Sequence, residues 1–176
     1  MMRTLHRFAA QVTWRELELN QEVAMGDGLF LEARAARGKV PVHLEGLSPS
    51  SPEDNVSLWL RDAATGKRAA YIGATSAADG LQNLGDVDCI FFDGTFWSSN
   101  ELPTLGLSKA RAEDMAHLPI GGEGGSLVRL AHVTAPHKIY THINNSNPIL
   151  VEGSPEERAV REAGWQIAFD GMEVAL

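Results

Sequence analysis

The sequence predicts an α/β (α+β) fold with one mixed sheet and flanking helices, and three observations lead to this prediction. Short segments of alternating hydrophobicity dominate the first third of the chain and indicate antiparallel strands. From residue 77 onward, helix-like and strand-like segments alternate, which is typical of parallel strands joined by helices. The 176 residues suffice for one core and are too few for two ordinary domains.

The N-terminal elements have the least regular pattern. Residues 5–19 fit either a short helix or an irregular strand. Residues 30–35 and 39–45 alternate well enough to predict an antiparallel pair, and a turn-rich loop follows. Residues 56–62 and 67–73 predict a second hairpin around an Ala-Thr-Gly turn. The sheet is therefore expected to begin with antiparallel strands.

The middle of the chain predicts a buried strand followed by a long connection. A helix is expected at residues 77–84, and the nearly all-apolar segment at 87–93 predicts a strand buried on both faces. Residues 94–125 are punctuated by Gly and Pro and only partly helical, which is typical of a functional connection. Ser126 is placed to cap a helix that runs to residue 133.

The last third of the chain predicts one helix among three strands. Ser154 is expected to be the N-cap of this helix, Pro155 its first residue and Gly164 its stop signal. The strands are expected at residues 138–142, 165–170 and 172–176.

Composition excludes several classes of protein. The net charge is -8 and the 15 basic residues are scattered, so no basic stripe is available for nucleic acid. Cys89 is the only cysteine and lies in an apolar run, which excludes a disulfide framework and a cysteine-ligated zinc. No stretch has the apolar length needed for a membrane span, and the charged N-terminus lacks a signal-peptide core. A cytoplasmic location is expected.

Three apolar strands end on a residue that can bind metal or move a proton: Asp93, His142 and Asp170. Ligands of open α/β sheets bind beyond the carboxyl ends of the strands, so these side chains are candidates for one site. The alternative is that each aspartate only forms an Asp-Gly turn and bonds to local backbone N–H groups.

His142 is either a metal ligand or a packed histidine held by a backbone carbonyl. The amides of Asn144, Asn145 and Asn147 follow it closely and are candidates for orienting the imidazole or binding substrate. His117 lies in the long connection near a carboxylate and is a candidate general acid or base, with an ordinary surface histidine as the alternative.

Four segments together resemble one known family. The sequences VDCIFFDGTFW, KARAEDMAHLPIGGEGG, HKIYTHINNSNPIL and GWQIAFDGMEV are similar, in this order, to the C-terminal half of the PqqB family, the B proteins of pyrroloquinoline quinone (PQQ) biosynthesis. The similarity covers roughly residues 30–176 and places the chain in the metallo-β-lactamase superfamily. It implies a metallo-β-lactamase-like αββα sandwich, with residues 1–176 as a single partial domain that lacks the N-terminal metal-loop half.

The resemblance also implies roles for the candidate residues. His142 corresponds to a late metal ligand of the superfamily, and His117 to a histidine near the leaving group in related phosphodiesterases, with Asp93 as a second catalytic candidate. Two other ligands of the superfamily, which PqqB-like proteins generally lack, are also absent here, so the resemblance implies a single-metal site. Gly73, Ala74 or Thr75 stands where a bridging aspartate would be, and Arg37 and Gly38 lie where a histidine would be. The implied cofactor is one divalent metal, iron or zinc, if a missing N-terminal half completes the site, and otherwise none.

The implied function is a PqqB-type role in PQQ biosynthesis, either metal-dependent hydroxylation of the tyrosine-derived precursor or transport of PQQ or its precursor. The alternatives are a phosphodiesterase-like metal-dependent hydrolase and a non-catalytic small-molecule binding module. Expected partners are PQQ or its precursor and other PQQ biosynthesis proteins. Half of a sandwich would expose an apolar face, so a complementing N-terminal fragment or another copy of the chain is also an expected partner.

Overall fold

The computed structural model describes residues 11–40, 46–47, 49, 51–52, 54–78, 84 and 86–176. Its seven strands are β1 (Glu22–Gly26), β2 (Leu29–Ala35), β3 (Val56–Asp62), β4 (Arg68–Ile72), β5 (Cys89–Asp93), β6 (His137–Thr141) and β7 (Gln166–Ile167). The α-helices are α1 (Glu101–Thr104), α2 (Ser126–Arg129) and α3 (Pro155–Glu162). Single turns of 3-10 helix lie at Glu113–Met115 and Pro148–Leu150.

The strands form one mixed sheet in sequence order, from β1 to β7. Strands β1 to β4 are antiparallel neighbours, whereas β4 to β7 are parallel. Parallel pairing directs the carboxyl ends of β4, β5, β6 and β7 to the same edge of the sheet. That edge is where the strand-end residues meet.

The core packs on one face of β4, β5 and β6. Phe92 and Tyr140 lie on this face and are fully buried, and both rings contact Trp165. The tyrosine hydroxyl bonds to Ser126 at 2.8 Å, which satisfies its only polar group. Burial in this apolar layer raises the pKa of Tyr140 well above its usual range.

The structure confirms several of the elements predicted from residue 56 onward. The hairpin of β3 and β4, the buried strand β5, the strand β6 and the helix α3 all lie where the sequence predicts them. Ser154 caps α3 by accepting a hydrogen bond from the backbone of Glu157, and Gly164 follows the helix with φ +77°. These elements carry local signals that tertiary contacts do not override.

Other predictions are wrong. Residues 30–35 lie in β2, which pairs with β1 on one side and β3 on the other, because the turn at Asp27-Gly28 forms a hairpin with the preceding strand. The predicted partner, residues 39–45, lies mostly outside the described residues. The helix expected over 126–133 ends at Arg129. The strand predicted at 165–170 shortens to two residues, and 172–176 contains no strand.

Two other predictions fall partly or mostly outside the described residues. The helix expected at 77–84 lies mostly on residues 79–83, and the element expected at 5–19 overlaps residues 1–10. The described part of the latter, residues 11–19, contains no helix or regular strand.

Candidate functional site

The site lies beyond the carboxyl ends of β5 and β6. The backbone N–H of Gly94 donates to the carbonyl of Thr141 at 2.8 Å, so the chain leaving β5 runs beside the chain leaving β6. A Cβ on Gly94 would lie 3.0 Å from that carbonyl oxygen, which explains why glycine follows Asp93. The close approach brings the residues after Asp93 next to His142.

Asp93 is fully buried, and its carboxylate accepts four hydrogen bonds. Oδ1 accepts from the backbone N–H of Thr95 at 3.0 Å and from its hydroxyl at 2.7 Å. Oδ2 accepts from the backbone N–H of Thr75 at 3.2 Å and lies 2.8 Å from Nδ1 of His117. A buried carboxylate needs such partners to offset its lost hydration. The Asp-Gly turn is therefore real, but the carboxylate also reaches a histidine.

His117 reaches the site from the long connection after β5. The preceding residue, Ala116, adopts a left-handed conformation with φ +65°, and the imidazole packs edge-on against Phe96. Because carboxylate oxygens only accept, Nδ1 of His117 carries the hydrogen that Asp93 binds. Its Nε2 is then the nitrogen left for a proton, a metal or a substrate.

His142 follows directly after β6, and its side chain is exposed. Its backbone is left-handed with φ +56°, which is uncommon for a non-glycine residue and occurs often at functional sites. The two imidazole rings stack with their centroids 5.3 Å apart. His142 is thus not a packed core histidine.

Among the described residues, Asp93, His117 and His142 form a group that could hold a metal ion. One potential ligand atom from each lies within 4.8 Å of those of the other two. A carboxylate and two imidazoles are a donor set suited to non-haem iron and also to zinc. The chemistry of these side chains therefore fits a divalent metal, whereas the expectation that a missing N-terminal half completes the site stays a prediction.

The asparagines after His142 differ in what their side chains contact. Asn147 is 1% exposed; its amide donates to the carbonyl of Gly94 at 2.8 Å and accepts from the backbone of Ile149 at 3.1 Å. Asn147 therefore ties the loop after β6 to the loop after β5. Asn144 is half-buried and donates to the hydroxyl of Ser146, whereas Asn145 is exposed.

Glu101 is a second buried carboxylate near the site, and it was not among the candidate residues predicted from the sequence. One oxygen accepts from the backbone N–H of Trp97 at 2.7 Å and the other from the hydroxyl of Ser146 at 2.5 Å. It thereby connects the segment after Thr95 with residues 143–147 after β6, which we call the asparagine loop. No sequence pattern identifies it, because its partner Ser146 is 45 residues away.

Asp170 was expected at the end of a third strand, but the structure leaves it outside the cluster of Asp93, His117 and His142. It is exposed and lines a shallow cavity of about 300 Å³ together with His142 and Phe169. It does not join the cluster of metal-binding side chains, since β7 ends three residues earlier at Ile167.

Thr75 occupies part of the segment where the resemblance called for a bridging aspartate. Its backbone N–H, rather than a side-chain carboxylate, contacts the site by donating to Asp93. The carboxylate of this site therefore comes from the end of β5 and not from the loop after β4.

Comparison with known proteins shows related sequences and a related structure. The family model described as "Beta-lactamase superfamily domain" matches residues 2–143. Coenzyme PQQ synthesis protein B of Nitrosococcus oceani is 40% identical over 175 residues, which cover 94% of this chain and 57% of that protein. The protein of the same name from Rhizobium meliloti is 40% identical over 168 residues, covering 94% of this chain and 55% of that protein.

The structural comparison agrees with the sequence comparison. The crystal structure of Zn²⁺-bound PqqB from Methylobacterium extorquens matches with a TM-score of 0.89 and 29% identity, covering 99% of this chain and 60% of that one. The chain thus spans somewhat more than half the length of the relatives it matches.

Proposed function

The chain belongs to the beta-lactamase superfamily and is similar to coenzyme PQQ synthesis protein B, and from this premise we propose that it acts in PQQ biosynthesis as a metal-dependent protein. The proposed reaction is hydroxylation of the tyrosine-derived precursor, in which one atom of O₂ enters an aromatic C–H bond as hydroxyl and the other leaves as water with two electrons and two protons from an external reductant. The observation that supports it most directly is the grouping of Asp93, His117 and His142 within 4.8 Å. Two imidazoles and one carboxylate are the donor set of many non-haem iron oxygenases.

In this proposal His142 and His117 would offer imidazole nitrogens to the metal, and Asp93 would offer a carboxylate oxygen in exchange for one of its four hydrogen bonds. When bound, iron would supply the redox-active centre that hydroxylation requires. Asp93 holds Nδ1–H of His117 at 2.8 Å and so leaves Nε2 of this ring available to the metal. Asp93 and His117 are therefore the catalytic residues that we propose. His142 is the proposed metal ligand whose substitution should weaken metal binding most.

The asparagine loop is the proposed substrate contact. Asn145 is exposed and Asn144 half-buried, and both lie within three residues of His142. Asn147 stabilises this loop, because its side-chain amide donates to the carbonyl of Gly94 and accepts from the backbone N–H of Ile149. We therefore propose Asn144 and Asn145 as direct substrate contacts and Asn147 as the residue that holds them in place.

Metal titration of the full chain tests this proposal. Fe²⁺ under anaerobic conditions, or Zn²⁺, is added to the metal-free protein and followed by calorimetry. We expect one equivalent to bind and His142→Ala to weaken binding about tenfold or more, by the usual cost of losing a contact at a metal site. His132→Ala is the matched control, because His132 is exposed and lies outside the cluster.

Two results would contradict the proposal. The first is that the wild-type chain binds neither metal. The second is that the His142→Ala and His132→Ala variants bind equally well. If the metal-free chain instead binds PQQ tightly, the carrier function replaces the hydroxylation function.

The proposed partners include a second polypeptide that covers the sheet, either a complementing N-terminal fragment or another copy of this chain. Among the described residues, no helix has the length and apolar character required to cross a membrane. The cytoplasmic location expected from the sequence stays a prediction, which cell fractionation tests.

A further inference from the structure

Thr95 has a hydroxyl group at the centre of the site. The residue is 6% exposed, and its Oγ1 lies within hydrogen-bonding distance of four atoms. These are Oδ1 of Asp93 at 2.7 Å, Nδ1 of His142 at 2.8 Å, the carbonyl oxygen of His142 at 2.9 Å and Nδ1 of His117 at 3.1 Å. One small side chain therefore contacts all three members of the metal-binding cluster.

The hydrogen-bonding capacity of the hydroxyl limits how these contacts are made. A threonine hydroxyl has one hydrogen to donate and two lone pairs that accept. Two of its four neighbours, the Asp93 carboxylate and the His142 carbonyl, can only accept. The hydroxyl hydrogen therefore goes to one of these oxygens, and the contact at 2.7 Å with Asp93 is the shortest. Nδ1 of His142 must then be the donor in its own contact with Oγ1.

We propose that Thr95 is a positioning residue that holds His142 in the tautomer with hydrogen on Nδ1, so that Nε2 has a free lone pair. This inference rests on the proposed function, since a free Nε2 is what a metal would bind. His117 reaches the same tautomer by another route, because its Nδ1–H is held mainly by the Asp93 carboxylate at 2.8 Å. The two histidines are thus oriented by different groups.

The difference between the two histidines makes the inference testable. Thr95→Val keeps the shape of the side chain and the backbone N–H that donates to Asp93, but removes the hydroxyl. We expect His142 to lose its preference for the Nδ1–H tautomer, whereas His117 keeps it through Asp93. Thr95→Ser retains a hydroxyl and should restore the wild-type state of His142.

The measurement is ¹⁵N nuclear magnetic resonance of the histidine rings in the metal-free full chain. It is made at a pH at which the ring-nitrogen shifts themselves show that both rings are neutral. The ring-nitrogen shifts report which nitrogen carries the hydrogen. In a second measurement, Thr95→Val should weaken Zn²⁺ binding about tenfold, in the range typical for partners of metal ligands.

Thr75→Val is the matched control. Thr75 is 2% exposed, and its hydroxyl donates to the carbonyl of Ala77 at 2.7 Å, so this variant also loses a buried hydroxyl group. Its hydroxyl contacts neither histidine in the described structure, so the tautomer of His142 should stay unchanged. A Thr95→Val protein that is folded and keeps the wild-type His142 spectrum would overturn the inference.

The two proposals can fail separately. The tautomer is observed without metal, so it tests the role of Thr95 even if the chain binds no ion. Conversely, a normal metal titration in wild type with an unaltered His142 tautomer in Thr95→Val would retain the proposed function and refute the positioning role.

Discussion

At the scale of single residues, the buried carboxylate of Asp93 determines how the site is arranged. Two backbone N–H groups, one hydroxyl and one imidazole surround it. Each carboxylate oxygen faces two hydrogen-bond donors. Only a side chain whose two terminal atoms are both acceptors can satisfy all four donors. This requirement explains how a carboxylate side chain is accommodated at a position with no solvent exposure.

Asp93→Asn should therefore destabilise the fold. An asparagine amide has one oxygen and one NH₂ group, so the NH₂ group would face two of the four hydrogen-bond donors. The buried donors left unsatisfied should lower the free energy of unfolding by about 1–3 kcal/mol. Urea denaturation followed by circular dichroism measures the effect. Asp170→Asn is the control, because Asp170 also precedes a glycine but is exposed. Equal stability of the two variants would show that the hydrogen-bond network around Asp93 contributes little.

Cys89 provides a second prediction at this scale. Burial raises the pKa of its thiol from 9.0 to about 11, with a further contribution from the charge of Asp88. The thiol of the folded protein should therefore stay protonated at pH 8 and react slowly with iodoacetamide. In urea the reaction should become much faster, because the unfolded thiol is exposed and its pKa is ordinary.

The same shift predicts how stability depends on pH. The unfolded chain releases the thiol proton near pH 9, whereas the folded chain holds it to about pH 11. The contribution of Cys89 is therefore complete below about pH 9 and is lost as the pH rises toward 11. Cys89→Ala should remove this part of the pH dependence in urea unfolding measured between these pH values. An unchanged pH profile would contradict the prediction.

At the scale of elements, α3 shows how a short helix is defined by its ends. Its N-cap Ser154 accepts from the backbone of Glu157 at 2.9 Å and donates to the carbonyl of Pro148 at 2.9 Å. The hydroxyl thus joins the helix to the 3-10 turn that follows the asparagine loop. Only Val160 of the helix is buried, so the cap has a large share in its placement.

Ser154→Ala should lower the free energy of unfolding by about 1–2 kcal/mol, which is the upper part of the range for a lost N-cap. Ser154→Thr keeps the hydroxyl and serves as the control, with a much smaller expected loss. Thermal and urea unfolding of the two variants give the comparison. If alanine and threonine are equally stable at this position, the cap is not important for α3.

At the scale of the whole molecule, the two faces of the sheet differ. One face of β4 to β6 carries the packed core, whereas the opposite face of β2 to β4 leaves large apolar side chains exposed. Leu29 is 44% exposed, and Leu60 and Tyr71 are each 39% exposed. The strand register places these three residues on one face. Val174 and Leu176 of the C-terminal segment line a cavity of about 330 Å³ with Leu29 and Leu60 on that face.

This face supports the expectation of an association partner. Contiguous exposed apolar area of this kind marks an interaction surface or promotes aggregation. We predict that the isolated chain self-associates with rising concentration and that Leu60→Lys reduces this association, as measured by analytical ultracentrifugation. Leu105→Lys is the matched control, since Leu105 is also exposed but lies after α1, away from the sheet. A strictly monomeric wild-type chain would refute the prediction.

The positions of β3 to β6, the cap of α3 and two of the site residues were accessible from the sequence. The hairpin around Gly66 and the apolar run ending in Asp93 have local patterns that few conformations satisfy. Asp93 and His142 could be grouped because neighbouring parallel strands end at the same edge of a sheet. The physical reason is that periodicity and caps act over a few residues and are visible in one segment alone.

Only the tertiary structure decided which distant groups meet. The pairing of β2 with β1 depends on which strands compete for its edge, although the Asp27-Gly28 turn was a usable signal. His117 was a candidate, yet its pairing with Asp93 over 24 residues required the path of the long connection. The contacts of Thr95 with His142 span 47 residues and those of Asn147 with Gly94 span 53, and no pattern within a segment encodes such contacts.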